Sequence, residues 1–278
     1  MKELTHHNYV SPFKSDYLSR TSVFWTGTFV DAIRSGRGAF ASAPRDLLEV
    51  AGLSYFQKAY LEVQRYLSLA AEVGAIGCAL SFRTGDVSVT YNGATIVAVG
   101  SVPTMPASPS DWVVSCFDFV LLARRRELLD LVLEYPADYL RRANGERDEY
   151  SFTLVETLRA FTRGQANWKD LAVETERNME PDRATIAPAN WVAMDRARIG
   201  VLRAIDQGTK EALDAALIVM IKAHKAVYGR GQEVKNPGGL LCMPALALGA
   251  LAHDRGIRTT VVSDYMPLWL LRGEDPPA

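Results

Sequence analysis

The stretch TKEALDAALIVMIKAH, residues 209–224, decides the fold class of this chain. Its core-facing positions recur at the three- and four-residue spacing of one helix face, at Leu213, Ala216, Leu217, Met220, Ile221 and His224. Thr209 stands where a hydroxyl can cap the first turn of such a helix. The same periodicity returns along most of the chain, so the sequence predicts a mostly α-helical protein.

Helical patterns extend in both directions from this segment. They cover 16–35, 44–51, 54–82, 112–133, 148–163, 167–179 and 188–205 upstream, and 238–253 downstream, where Gly256 ends the pattern. We expect successive helical hairpins to stack into a single compact multi-helix domain spanning 1–278. A stretch rich in Pro and Ser at 101–110 is the only candidate seam, with Ser110 as the expected cap of the next helix.

The clearest strand signal is DVSVTYNGATIVAVG, residues 86–100. Two β-branched runs flank Asn92-Gly93, the dipeptide that supplies the positive φ angles of a type I′ turn. We therefore predict a small β-hairpin, which must pack on helices because two strands alone are barely stable. Arg258–Ser263 is predicted as a short C-terminal strand.

Composition narrows the class of protein. The chain has 31 basic and 32 acidic residues and a net charge of −1, which argues against a nucleic-acid binder. Its three cysteines are isolated among apolar neighbours, as expected of free thiols in a reducing cytoplasm. The most apolar run, 238–252, falls short of the roughly 20 residues that span a bilayer. We expect a cytoplasmic protein without membrane contact.

One arrangement could carry chemistry. His224, the pair His253-Asp254 and Asp264 follow the order found in HD-type metal-dependent phosphohydrolases, where neutral imidazoles and carboxylates hold a cation that activates water. We favour a structural interpretation, because His224 lies on an apolar helix face and His253-Asp254 ends a helix. His6 and His7 are expected to be solvated in a loose terminus. We predict no catalytic residue, no metal and no cofactor.

Charged residues are placed unevenly. Arg124–Arg126 precede Glu127, Asp130 and Glu134 at helical spacing, which favours pairing within a solvated helix face. A second group is acidic and comprises Asp170, Glu174, Glu176, Glu180 and Asp182. It is either an ordinary solvated surface or our candidate partner-binding surface, since charged patches steer association with a basic partner.

Two segments resemble a known family. GLLCMPALALGALAHDRGI, residues 239–257, followed by TTVVSDYMPLWLL, residues 259–271, is similar to the C-terminal pattern of the immunity protein 49 family. An apolar helix there ends in an Ala-His/Arg-Asp-Arg-Gly type of cap and is followed by a short strand and a Tyr-Leu-Pro-like segment. DWVVSCFDFVLLAR, residues 111–124, resembles that family's central Trp-bearing helix.

The resemblance implies a mostly helical cytoplasmic protein of a bacterial polymorphic toxin system, which takes part in interbacterial competition. Such a protein binds and neutralises a cognate secreted toxin and has no enzymatic activity. Two other functions stay open, an HD-like phosphohydrolase and a helical-repeat scaffold that binds peptide segments. The sequence leaves the toxin's chemistry and the oligomeric state open.

Overall fold

The computed structural model describes residues 4–9, 21, 24–34, 42–100, 107–143 and 145–277. Helices dominate these residues, and the one sheet among them has two antiparallel strands, so the predicted mostly α fold is confirmed. The chain forms two compact units. The hairpin unit comprises Tyr9–Ala143, Val234–Leu240 and Pro276–Ala278, and the groove unit comprises Met1–Asn8, Asn144–Glu233 and Leu241–Asp275.

The single domain over 1–278 stays a prediction. Most of its candidate seam, residues 101–106, lies outside the described residues. Among those described, the helix cap is Ser108 rather than Ser110. Its hydroxyl accepts the amide of Asp111 and the Asp111 carboxylate accepts the amide of Ser108, because Pro109 takes the first helical position.

In the hairpin unit, a π-helical turn at Phe24–Thr28 leads into α1, and the elements then follow in chain order. They are α1 (Phe29–Arg34), α2 (Ala43–Phe56), α3 (Tyr60–Phe82), β1 (Gly85–Tyr91), β2 (Ala94–Gly100), α4 (Pro109–Asp111), a π-helical stretch (Trp112–Phe117), α5 (Asp118–Ala123), α6 (Arg126–Leu133) and α7 (Ala137–Arg141). The part of the predicted helix 16–35 that is described is helical from Phe24 to Arg34.

Helix α3 forms the core of this unit. Every residue from Leu69 to Leu80 on it is buried. The π-helical stretch packs closely against α3 at Gly74, where a Cβ would lie 2.5 Å from the carbonyl oxygen of Ser115. Only glycine permits this approach, because any larger residue at position 74 would push the π-helical stretch away from α3.

Two helix boundaries in the hairpin unit differ from the prediction. The break between α2 and α3 falls at 57–59, where Lys58 has a φ of +61°, and not near Gly52. Gly52 lies inside α2. Glycine is needed at this position because the backbone of Pro237 packs where a Cβ would be. The run predicted over 112–133 is interrupted at Arg124, which has a φ of +55° and ends α5.

The predicted hairpin and its turn type are confirmed. Asn92 and Gly93 have φ angles of 49° and 76°, as a type I′ turn requires. One face is buried and contains Val87, Val89, Tyr91, Ile96 and Ala98. The hydroxyl of Tyr91 donates to the carbonyl oxygen of Trp25, so the hairpin is packed on helical residues as expected.

The groove unit consists of paired helices with an apolar helix beside them. Its elements are α8 (Glu149–Thr162), α9 (Trp168–Asn178), α10 (Ala189–Gln207), α11 (Lys210–Tyr228), α12 (Met243–Asp254) and α13 (Leu268–Arg272). Helix α8 packs on α9 and α10 packs on α11, which agrees with successive helical hairpins. Thr209 caps α11 through the amide of Ala212, as predicted.

Helix α12 is the apolar helix of the prediction, but it begins at Met243 and not at Gly238, because Pro237–Leu240 forms a separate 3-10 turn; Gly256 ends it at a φ of +85°. The segment after it has no regular secondary structure, and the predicted strand is reduced to one isolated bridge between Leu4 and Ser263. The carboxylate of Asp214 accepts the amide of Thr260 and so replaces a strand partner there. Among the described residues, no helix combines the length and apolarity needed to cross a membrane.

Candidate functional site

The five acidic residues singled out in the sequence lie on α9 and in the loop that follows it. Asp170 and Glu174 are exposed on α9, and Asp182 is exposed in the loop. These three carboxylates make no hydrogen bond or ion pair with any residue that the structure describes. They are therefore available to a partner.

The other two acidic residues are paired within the groove unit. Glu176 accepts two bonds of 2.6 Å from the guanidinium of Arg203, one to each carboxylate oxygen. Glu180 lies 3.6 Å from Arg196. Both arginines belong to α10, far away in sequence, so inspection of the acidic segment alone could not separate the paired carboxylates from the unpaired ones.

Beside the acidic loop lies a groove that sequence reasoning missed. The loop after α9, helix α10 and helix α11 enclose about 490 Å³. Its walls are mostly small or apolar and include Met179, Ala184, Val192, Ala197, Ala216 and Val219. Val219 is 56% exposed, so apolar surface at the groove remains in contact with water.

The loop that walls the groove is held in place by a buried carboxylate. Asp148, just before α8, accepts the amides of Thr185, Ile186 and Ala187 at 2.7 to 3.2 Å. At the start of the loop, the guanidinium of Arg196 donates to the carbonyl oxygen of Met179 at 3.0 Å. These bonds fix the backbone of the loop against the helices, and the groove is preformed.

Helix α10 contributes a glycine to the groove. A Cβ at Gly200 would meet no heavy atom within 4 Å, since the space beside it belongs to the groove. The sequence did carry a signal for this wall. Ala189, Ala193 and Ala197 are spaced four residues apart, and Gly200 continues the same small face.

The histidines and aspartates of the phosphohydrolase alternative do not form a metal site. Among the described residues, no three His, Cys, Asp or Glu side chains are grouped so that they could hold an ion. His224 is buried on α11 with its ring 5.3 Å from that of Tyr265, as expected of a core histidine. Asp264 is exposed and accepts the amide of His6 at 3.1 Å.

The predicted loose terminus is wrong for His7, which is buried. Its amide and its ring Nδ1 both contact the hydroxyl of Tyr265, at 2.7 and 3.0 Å. Burial raises the pKa of Tyr265 to about 12, so its hydroxyl stays protonated at neutral pH. The sequence could not show this contact, because it joins residues 258 positions apart.

The arginine cluster is only partly a solvated face. Arg126 pairs with Asp130 on the same helix, as predicted. Arg125 pairs with Glu127 at 2.7 Å, as predicted, and also with Glu72, a carboxylate on α3 that is 4% exposed, at 2.5 Å. Glu134 pairs with Arg83 at 2.9 Å and not with the cluster. Arg125 thus has a structural role in the hairpin unit.

The fold and the groove define a class of protein: a mostly helical one with a preformed apolar groove, beside which Asp182 has no partner among the described residues. The model of the family described as Immunity protein 49 matches residues 57–270. This match covers most of the chain, and the protein belongs to that family. Comparisons with curated proteins and with solved structures gave no match.

Proposed function

We propose that this protein is a non-enzymatic immunity protein, which acts in the cytoplasm by binding and neutralising a cognate bacterial toxin of a polymorphic toxin system. Membership of the Immunity protein 49 family over residues 57–270 carries the proposal. The toxin-binding surface that we propose contains Asp170, Glu174 and Asp182, which have no partner among the described residues.

The acidic surface is suited to a partner with basic residues around its active site. Complementary charge increases the rate of encounter, while a few buried side chains supply most of the binding energy. Glu176 and Glu180 help to hold α9 and its loop against α10. In this proposal they position the binding surface and do not contact the toxin.

Co-expression with the secreted toxin encoded beside the gene tests the proposal directly. We expect cells that produce the toxin domain to grow only when this protein is also produced. Soluble expression of this protein without protection contradicts the proposed function.

Titration of the purified toxin separates binding from catalysis. If protection arises from binding, toxin activity falls linearly and reaches zero at a fixed molar ratio. A small fraction of one equivalent that inactivates all of the toxin over time would instead show an enzymatic activity.

A further inference from the structure

The groove between the loop after α9, helix α10 and helix α11 keeps its space open through small side chains. Gly200 lies in the interior of a 19-residue helix, where glycine is less favourable than alanine. Neither a neighbouring atom nor a positive φ requires glycine there. The local structure does not need this residue, but the volume of the groove depends on it.

The groove also has the size and lining of a binding site. About 490 Å³ is within the range of known ligand sites and is enough for more than one side chain. An apolar group that enters it displaces water from Val192, Val219 and the alanines of the wall. Because Asp148 and Arg196 already fix the loop, little ordering of this protein opposes binding.

The charges beside the groove define the partner further. Pro181 lines the groove, and its neighbours in the chain are Glu180 and Asp182. The carboxylate of Glu180 is paired with Arg196, whereas Asp182 has no partner among the described residues. Arg183 also lies in this loop and donates to the side chain of Asn178 at 3.4 Å. Asp182 is therefore the carboxylate beside the groove that is available to a cation.

We propose that this groove is the anchor site for the toxin and receives an aromatic or aliphatic side chain next to Lys or Arg in the toxin sequence. The proposal rests on the proposed function and adds the chemistry of the contact. The apolar side chain fills the space beside Gly200, and the neighbouring cation pairs with Asp182.

Two leucine substitutions test the groove with the purified toxin domain as the probe. Gly200→Leu fills the groove, and the matched control Ala137→Leu places a leucine at the exposed first residue of α7, which does not line the groove. We expect Gly200→Leu to weaken toxin binding at least tenfold in calorimetry and Ala137→Leu to leave it unchanged. Thermal unfolding of both variants confirms that they are folded.

Crosslinking identifies the occupant. A photoreactive benzoylphenylalanine replaces Val219 at the groove, and mass spectrometry maps the toxin peptide to which it attaches. We expect a peptide with an apolar residue beside Lys or Arg. Attachment to an acidic or wholly polar peptide overturns the proposal.

The outcomes keep the two proposals apart. If Gly200→Leu binds the toxin as tightly as the wild type, or if both leucine variants lose binding equally, the anchor site is wrong and the proposed function stands. If the wild type neither binds the toxin nor protects cells from it, both proposals fail.

Discussion

At the scale of single residues, helix glycines have opposite roles in the two units. Gly74 on α3 has the backbone of Ser115 where its Cβ would be, while Gly200 on α10 has open space there. The first glycine permits close packing and the second keeps a surface groove open. Helix propensity treats both as equally unfavourable, so only their surroundings distinguish them.

Alanine at these two positions should have effects of opposite sign. Gly200→Ala should raise the free energy of unfolding by roughly 0.5–1 kcal/mol, because alanine loses less backbone entropy on folding. Gly74→Ala should lower it by about 1–3 kcal/mol, because the added methyl group overlaps the carbonyl oxygen of Ser115. Urea denaturation measures the free energy of unfolding of both variants. A change of the same sign in the two contradicts the opposite roles given to Gly74 and Gly200.

Glu72 on α3 is a buried carboxylate of the hairpin unit. It accepts the amide of Asn92 in the hairpin turn at 2.6 Å and pairs with Arg125 before α6. Glu72→Gln should lower the free energy of unfolding by about 1–3 kcal/mol, since Arg125 loses its buried charged partner and keeps only the exposed Glu127.

The control for Glu72 is Arg126→Gln, which removes a pair on an exposed helix face. Its effect should stay within about 0.5 kcal/mol, because an exposed ion pair contributes little. Urea denaturation measures both variants. Equal decreases in their free energy of unfolding would show that burial does not make the Glu72 pair more stabilising than the Arg126 pair.

At the scale of elements, the side chain of Asp214 on α11 binds the segment that follows α12. Asp214 accepts the hydroxyls of Thr259 and Thr260 at 2.6 and 2.7 Å and lies 3.3 Å from Lys210. Burial alone would raise the pKa of Asp214, but these bonds outweigh it and lower the pKa below the usual 3.8.

This lowered pKa gives a pH dependence of stability. The unfolded chain binds a proton at Asp214 more readily than the folded chain does. The ionised Asp214 therefore stabilises the folded state fully above about pH 4. This stabilisation is lost as the pH falls through the lower pKa of the folded state. We expect Asp214→Asn to destabilise the protein at pH 6 and to differ less from the wild type near pH 3. Urea denaturation at both pH values checks this, and a difference that grows towards pH 3 contradicts it.

At the scale of the whole molecule, a net charge of −1 conceals a local acidic surface. Asp170 and Glu174 are one helical turn apart on α9, where two like charges disfavour an isolated helix. Their exposure without partners among the described residues is consistent with a surface that meets a basic partner.

Charge reversal measures how much this acidic surface contributes to the rate of association with the toxin. The double change Asp170→Lys and Glu174→Lys should slow association with the toxin at low salt by about tenfold and should reduce the salt dependence of the rate. Glu149→Lys and Glu211→Lys, on the exposed first turns of α8 and α11, make the same change in net charge. If the two double variants slow association equally, the effect comes from net charge and not from the α9 surface.

The elements were largely predictable because local spacing determines them. Periodicity placed α9 and α11 closely, and Asn92-Gly93 determined the turn of the hairpin. The site was predictable only in part. The acidic series was found, but its division into paired and unpaired carboxylates depends on Arg196 and Arg203 of another helix.

By itself the sequence determined the helical class, the hairpin, the helix cap at Thr209 and the family resemblance, since these depend on residues within a few positions of each other. Only the tertiary structure decided which charges are neutralised, that His7 is buried against Tyr265, and that a groove opens beside Gly200. These features depend on distances between residues far apart in the chain, and such distances are set when whole elements pack.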